Sequence, residues 1–499
     1  MNELGRIEAL LDEPDLAATI DSLEAALPIG VRPRQLRVRT LLVGLLGCLS
    51  SGRQNAYLSD VHAMLVGLDV ADQARLGVRV EWKGSPHALT YRQVEYTIHV
   101  LERALSKDTP DGAPSQRLQE FCDRLLEASI PLVYKDATGA YAIDWTDVES
   151  FSRPPSEADG PCADPEAHFG HRRGDGPGQK DELFFGYYDS LMVMVPERAG
   201  GSVPELIRRA QLVSCRIDPV PGFVGVVTSS AANGVVVAEI LADCGYSYKV
   251  PEHFAFPLRA AGVHLVIDLH PNDRGQKGTF AGAIVANGNL YCPGTPVPLL
   301  SLSSLARGAS GDETAAHDER AAELARYKLG RISAEDTDGY HRVGCPALMG
   351  KVRCPLRASS MALSNARPEI FAVPEHPPTC CTNQTITVPP RVNAKTRQRH
   401  DYPSAAHRAS YGRRSGAERA NSRLKDPAGI NIDQLGWCKL MGLVPLSLFL
   451  ACACVVVNFD LIDAFQAHQA TRRGAPPQPR PRARRRKTLA DLARAPAPS

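Results

Sequence analysis

SYGRRSGAERANSRLKD, residues 410–426, sets Tyr411, Arg414, Glu418 and Lys425 in the order Tyr-x2-Arg-x3-Glu-x6-Lys. If the run is helical, Glu418 and Lys425 lie seven residues, or two turns, apart and share one face. A carboxylate between two cations suits a phosphate-bearing substrate. The Glu can hold a divalent ion, Arg414 can grip phosphate through two N–H groups, and Lys425 can act as a point charge. Part of the run also has a plainer reading. Ser415 to Glu418 has the form of a capping box, in which Ser caps a helix and Glu reaches back to it. Arg and Lys are also frequent through 391–425, as on a solvated face. Neither alternative accounts for Tyr411 or for the place of Lys425.

Phosphodiester chemistry asks little covalent work of a protein. It needs an activated oxygen nucleophile and a stabilised leaving oxygen, and two divalent ions roughly 4 Å apart supply both. Mg²⁺ takes oxygen ligands and keeps several waters, so a few converging carboxylates suffice. Two further acids stand where a fold can fix them. Asp144 ends the strand-like run AYAIDW (140–145), with Asp147 and Glu149 as close rivals. Asp243, in EILADCGYSYK, follows an apolar run and precedes Gly245 and Tyr246. Taken singly, Asp144 reads equally well as an acid opening a turn, and Asp243, before Gly near a helix end, is more often a turn residue than a ligand.

Together these residues resemble one branch of the bacterial insertion-sequence transposases of the Asp-Asp-Glu type, the branch with the Tyr-Arg-Glu-Lys signature. The resemblance covers about 128–460 and is most specific at 411–425. It implies a ribonuclease H-like core with an Asp on the first strand, an Asp after the fourth, and the signature Glu. Asp144, Asp243 and Glu418 fill those places as catalytic and metal-binding residues. Tyr411, Arg414 and Lys425 are implied as DNA contacts. Two Mg²⁺ (or Mn²⁺) ions, double-stranded DNA as substrate and target, a homodimer on the DNA and a bacterial cytoplasmic setting are implied as well. So is an insertion between the second Asp and the Glu.

The rest of the chain is consistent with that outline. Residues 1–35 form a short lead, and 36–127 read as a helical domain suited to DNA-end binding or to plain packing. LTYRQVEYTIHVLERAL (89–105) has Leu89, Val94, Ile98 and Leu101 at helical spacing behind a Thr90 cap. From 128 to 270 strands dominate: 140–145, one or two in 184–197, then AQLVSCRI (210–217), FVGVVTSS (223–230) and VHLVIDLH (263–270). A helix is expected over NGVVVAEILADCGYS (233–247). This alternation predicts an α/β core. Residues 271–400, rich in Gly, Pro and isolated Cys, read as the insertion, with one helix in ETAAHDERAAELARYKLG (313–330). Residues 401–465 return to helix as the last part of the core. Residues 466–499, including RRGAPPQPRPRARRRK, have the composition of a disordered basic tail that holds phosphate without sequence preference.

The 499 residues carry a net charge of only +2, so any nucleic-acid surface must be local. The thirteen Cys are odd in number and thinly spread, unlike a secreted disulfide framework. The acidic N-terminus lacks the form of a signal peptide. Leu440–Val457 is eighteen residues without charge, long enough to span a membrane. Pro445 inside it and the close flanks Lys439 and Asp460 favour a buried core helix, and no membrane partner is expected. Cys292, Cys345, Cys354, Cys380 and Cys381 could supply a structural Zn²⁺ site, but wide spacings without a CxxC pair favour ordinary small buried residues. His168, His171, Arg172 and Arg173 form a loop cluster read as solvated or near DNA. Beside an active transposase stand two alternatives: an inactive DNA-binding descendant, and a related metal-dependent nuclease that cuts without joining.

Overall fold

The computed structural model describes residues 2–27, 35–51, 57–82, 85–106, 111–156, 160–172, 181–306 and 308–472. It is a mixed α/β structure. Arg173 and the basic run beyond Arg472 lie outside the described residues.

Helices dominate the start of the chain: α1 (Glu3–Leu11), α2 (Pro14–Ala26), α3 (Val38–Ser50), α4 (Leu58–Val66), α5 (Tyr91–Leu105) and α6 (Gln116–Ala128), with a short helix (Val70–Arg75) and a hairpin (Arg79–Trp82, Ser85–Ala88) between α4 and α5. Thr90 caps α5 as its sequence predicts; Gln93 Oε1 accepts from Thr90 N at 2.7 Å. Val94, Ile98 and Leu101 all face inward.

The central sheet contains β1 (Ala140–Glu149), β2 (His168–Arg172), β3 (Glu182–Val195), β4 (Ile207–Ser214), β5 (Glu239–Ala242) and β6 (His264–Ile267). Its order is β2-β3-β1-β5-β6, and β4 pairs with β3 as well. β3 runs antiparallel to β1, β2 and β4, whereas β1, β5 and β6 are mutually parallel. Residues 184–195, expected as one or two strands, belong to the single strand β3.

Two expectations exchange places. FVGVVTSS, read as a strand, lies inside α7 (Pro219–Ala232), and the run read as a helix contains β5. The physical signals were local. Asp218 caps α7, with its Oδ1 accepting from Val220 N at 3.0 Å, and Pro219 takes the first turn where no N–H is needed. Asn233-Gly234 stops the helix: Gly234 has φ +92°, which favours glycine. The helix is apolar nearly all round, so hydrophobic period could not identify it.

Between β6 and the signature lie two small antiparallel sheets. One holds β7 (Gln276–Phe280), β8 (Ala283–Ala286) and β9 (Asn289–Tyr291). The other holds β10 (Gly330–Arg331), β11 (His341–Gly344) and β12 (Thr385–Val388). Between them runs α8 (Gly311–Tyr327), started by a Ser310–Glu313 capping box.

The chain then forms α9 (Ala405–Tyr411), one 3₁₀ turn (Gly412–Arg414), α10 (Ser415–Leu424) and α11 (Leu443–Arg472). α11 is the apolar segment, and 89% of its most apolar window is buried inside the protein. It is a core helix by packing, and it extends into residues expected to be tail. One face of the sheet (Ala140, Ala142, Leu191, Val193) shares a core with α11, α10 and the N-terminal helices. The other face (Tyr141, Ile143, Met192, Met194) packs on α7. Asn458, fully buried in α11, fixes the docking. Its Oδ1 accepts from Ile207 N, and its Nδ2 donates to Ile207 O, each at 2.8 Å.

Candidate active site

Strand register brings the two Asp side by side. β1 and β5 pair in parallel as Ala140↔Glu239, Tyr141↔Ile240 and Ala142↔Leu241. Two residues further along, Asp144 is still on β1 and Asp243 follows the last residue of β5, so the parallel register carries both acids to the same end of the neighbouring strands. Alternation puts Asp144 on the same face as Ala140 and Ala142, the face that α10 covers.

Asp144 is mostly buried. Its Oδ1 accepts from Trp145 N at 3.0 Å, and its Oδ2 accepts from Asn421 Nδ2 at 3.3 Å. Burial pushes its carboxyl up to about 6; Arg414 opposes this, while the charges of Asp243 and Glu418 add to it. Asp243 begins a short helical turn (Cys244–Ser247), its Oδ1 accepting from Gly245 N at 2.9 Å. A side chain on Gly245 would crowd Trp145 and Asp243 Oδ1, at 2.9 and 3.0 Å from its Cβ, which gives this glycine a packing reason. Trp145 meets Tyr246 edge-on at 4.6 Å, tying the residue after Asp144 to the turn that Asp243 begins.

Across from the sheet, Glu418 projects from the first turn of α10 and is about half exposed. Arg414 joins the acids. Its Nη2 donates to Glu418, and its Nη1 stands 3.6 Å from Asp144 Oδ2. Its guanidinium lies 5.7 Å from the Tyr411 ring, which stacks on His407 at 5.7 Å with planes 9° apart. Burial holds the Tyr411 phenol protonated, above its ordinary range, although Arg414 opposes this. Lys425 closes α10 and pairs with Asp433 at 2.9 Å and Asp147 at 3.6 Å. Of these groups Asp144, Glu418 and Lys425 border an open cleft of about 760 Å³, which Asn421 and Arg423 also line.

The structure therefore brings together Asp144, Asp243, Glu418, Arg414 and Tyr411, with Lys425 at the cleft's far end. It corrects the capping-box alternative. The chain is already helical at Arg414, Ser415 Oγ donates back to Gly412 O at 3.0 Å, and Glu418 turns to Arg414 instead. The rivals serve elsewhere: Arg172 binds both Asp147 and Glu149. Burial works to raise the Asp147 carboxyl, but Arg172 and Lys425 hold it below its ordinary value. Arg172, expected on a solvated or DNA-facing loop, is thus an internal strand partner.

Two residues went unnoticed in the sequence. Asn421 lies one turn beyond Glu418, and that i+3 spacing was a usable signal. Its Oδ1 is buried without a partner. Arg413 is buried against Glu239 and donates to Pro196 O at 2.8 Å. Nothing in the sequence separates it from Arg414.

Among the described residues no three His, Cys, Asp or Glu side chains stand close enough to hold an ion as they are. At the acidic site Arg414 already places a cation between Asp144 and Glu418, and the donor set is the all-oxygen set that Mg²⁺ takes. That stand-in, with the orphaned Asn421 Oδ1, fits a site for a hydrated divalent ion. Comparison with protein-family models, curated proteins and solved structures returned no match.

Proposed function

We propose that this chain is a DNA transposase of the Asp-Asp-Glu type, with a ribonuclease H-like core. The observation that carries the reading is that Asp144 on β1 and Asp243 just past the end of the neighbouring parallel β5 stand at one end of the sheet, with Arg414 bridging Asp144 to Glu418. Topology supports it. Asp144 is on the first strand of the sheet. Leaving aside the short β2, which shares an edge of β3 with β4, Asp243 follows the fourth. Residues 271–400 stand between the second Asp and Glu418, where the resemblance implies an insertion.

Asp144, Asp243 and Glu418 would hold Mg²⁺, whose chemistry when bound would be activation of an oxygen nucleophile and stabilisation of the leaving oxygen. The protein's own work is positioning. The Trp145–Tyr246 contact braces the two segments that carry the Asp residues, and Asn421 orients Asp144. Arg414, backed by Tyr411, is aimed to hold a phosphate beside the acids once they are otherwise neutralised. Lys425 supplies a second cation at the cleft's far end.

Strand transfer tests the reading against a nuclease. DNA carrying the element's own ends, incubated with a target plasmid and Mg²⁺, should give joined products with the intact chain and none with Asp144→Asn or Asp243→Asn. Cutting without joining would replace the transposase by a nuclease on the same site.

A further inference from the structure

The cysteines of 271–400 come from separated segments, yet the fold gathers them. Cys292, Cys345 and Cys354 are buried in one cluster with Tyr291, Val352 and Ile370. The thiol of Cys292 lies within electrostatic reach of Cys345, Cys354 and Cys381, and that of Cys354 within reach of Cys345 and Cys381. All are free of disulfides.

Two of the segments share one local shape. In Cys292-Pro293-Gly294-Thr295 the Gly294 N–H points at the Cys292 sulfur, and Thr295 N donates to Cys292 O at 3.0 Å. In Cys354-Pro355-Leu356-Arg357 the Leu356 N–H points at the Cys354 sulfur, and Arg357 N donates to Cys354 O at 2.9 Å. A third Cys-Pro turn starts at Cys345, whose carbonyl accepts from Met349 N at 3.2 Å. Burial holds the Cys292 and Cys354 thiols above their ordinary value, while these two N–H groups work the other way, toward the thiolate that binds metal. The charge of Arg357 reaches both Cys354 and Cys381, offsetting negative charge gathered there. The surrounding elements are two three-stranded sheets and one longer helix, a thin core that a cross-link would secure.

We propose that Cys292, Cys345, Cys354 and Cys381 are the four ligands of a structural Zn²⁺ that ties this region together. Four thiolates make a closed tetrahedral site with sulfur about 2.3 Å from the ion. The four sulfurs do not yet converge on one point. Binding closes side chains that the Cys-Pro turns already present. Cys380, 3.9 Å from Cys381 sulfur to sulfur, is left out: it is buried inside the cluster of Ile386 and Val388, whereas Cys381 is half-buried at that cluster's edge. The site is independent of the DNA chemistry proposed above.

The experiment is the zinc content of the purified full chain by elemental mass spectrometry, with Co²⁺ titration of the chelator-stripped protein. About one zinc per chain is expected, with thiolate-to-cobalt absorption on substitution. Cys292→Ser with Cys354→Ser should lose both signals, while Cys215→Ser and Glu418→Gln should keep both. If the double variant does not fold, the intact chain decides alone. No zinc and no thiolate–cobalt absorption from it would overturn the proposal, as would unchanged zinc in a folded double variant.

Discussion

Arg414 is the residue on which the site turns. It is mostly buried and shared between Asp144 and Glu418, so it neutralises carboxylates that an ion would otherwise claim. Replacing it by Gln removes a competing cation. Mn²⁺ affinity, read by electron paramagnetic resonance, should rise roughly tenfold, the weight of one interaction of about 1.4 kcal/mol. DNA affinity should fall in the same variant; weaker Mn²⁺ binding would refute the cation role. Asp189 poses a different residue-scale question. It is fully buried in β3, and neither carboxylate oxygen has a partner. Burial pushes it well above its ordinary value. A carboxyl that titrates higher folded than unfolded contributes stability below its ordinary pKa of about 4, and loses it as pH rises. Asp189→Asn stays neutral at every pH. It should therefore raise Tm at pH 7, with a gain that shrinks toward pH 4. The signature was legible at this scale because four residue types at fixed spacing constrain one another. Asp189 was not, since nothing in a sequence shows that a carboxylate lacks a partner.

Among the elements, legibility followed the strength of local chemistry. α5 announced itself through the Thr90 cap and a clean period, and β1 through its apolar run. α7 and β5 exchanged places because apolar residues dominate both without a clear period, and only Asp218-Pro219 and Asn233-Gly234 marked the true boundaries. Two contacts that dock elements are equally invisible in sequence, and both are measurable. Arg413 anchors the 3₁₀ turn before α10 to Glu239 at the start of β5, with both side chains nearly inaccessible. Arg413→Ala should cost about 3–5 kcal/mol, because it strips a buried charge of its main partner. Arg399, 3.1 Å from the same Glu239, keeps the loss toward the lower end. Asn458→Ala leaves Ile207 N and Ile207 O without their partner. Urea unfolding should show a loss of about 3 kcal/mol, from two buried groups at about 1–3 kcal/mol each. A change under 1 kcal/mol in either variant would mean that water replaces the lost contact.

For the whole molecule, the consequential feature is that α11 serves the core. Its apolar length satisfies a membrane criterion, yet it packs against α3, α6 and β4 and joins the N-terminal helices to one face of the sheet. The same face carries Asp144, and α10 brings Glu418 over it, so the final helices both hold the molecule together and complete the cleft. The sequence marked α11 as apolar and the signature as helical. It could not show that they share a core with residues 3–128, because that contact spans the length of the chain. The account as a whole rests on Glu418 acting as a ligand. The direct measurement is Mg²⁺-dependent cleavage of DNA bearing the element's own flanking ends, comparing the intact chain with Glu418→Gln, which keeps the side chain's size and removes its charge. The intact chain should cut, and Glu418→Gln should bind the same DNA without cutting it. Equal cutting by both would contradict the account, leaving Glu418 as nothing more than the partner of Arg414.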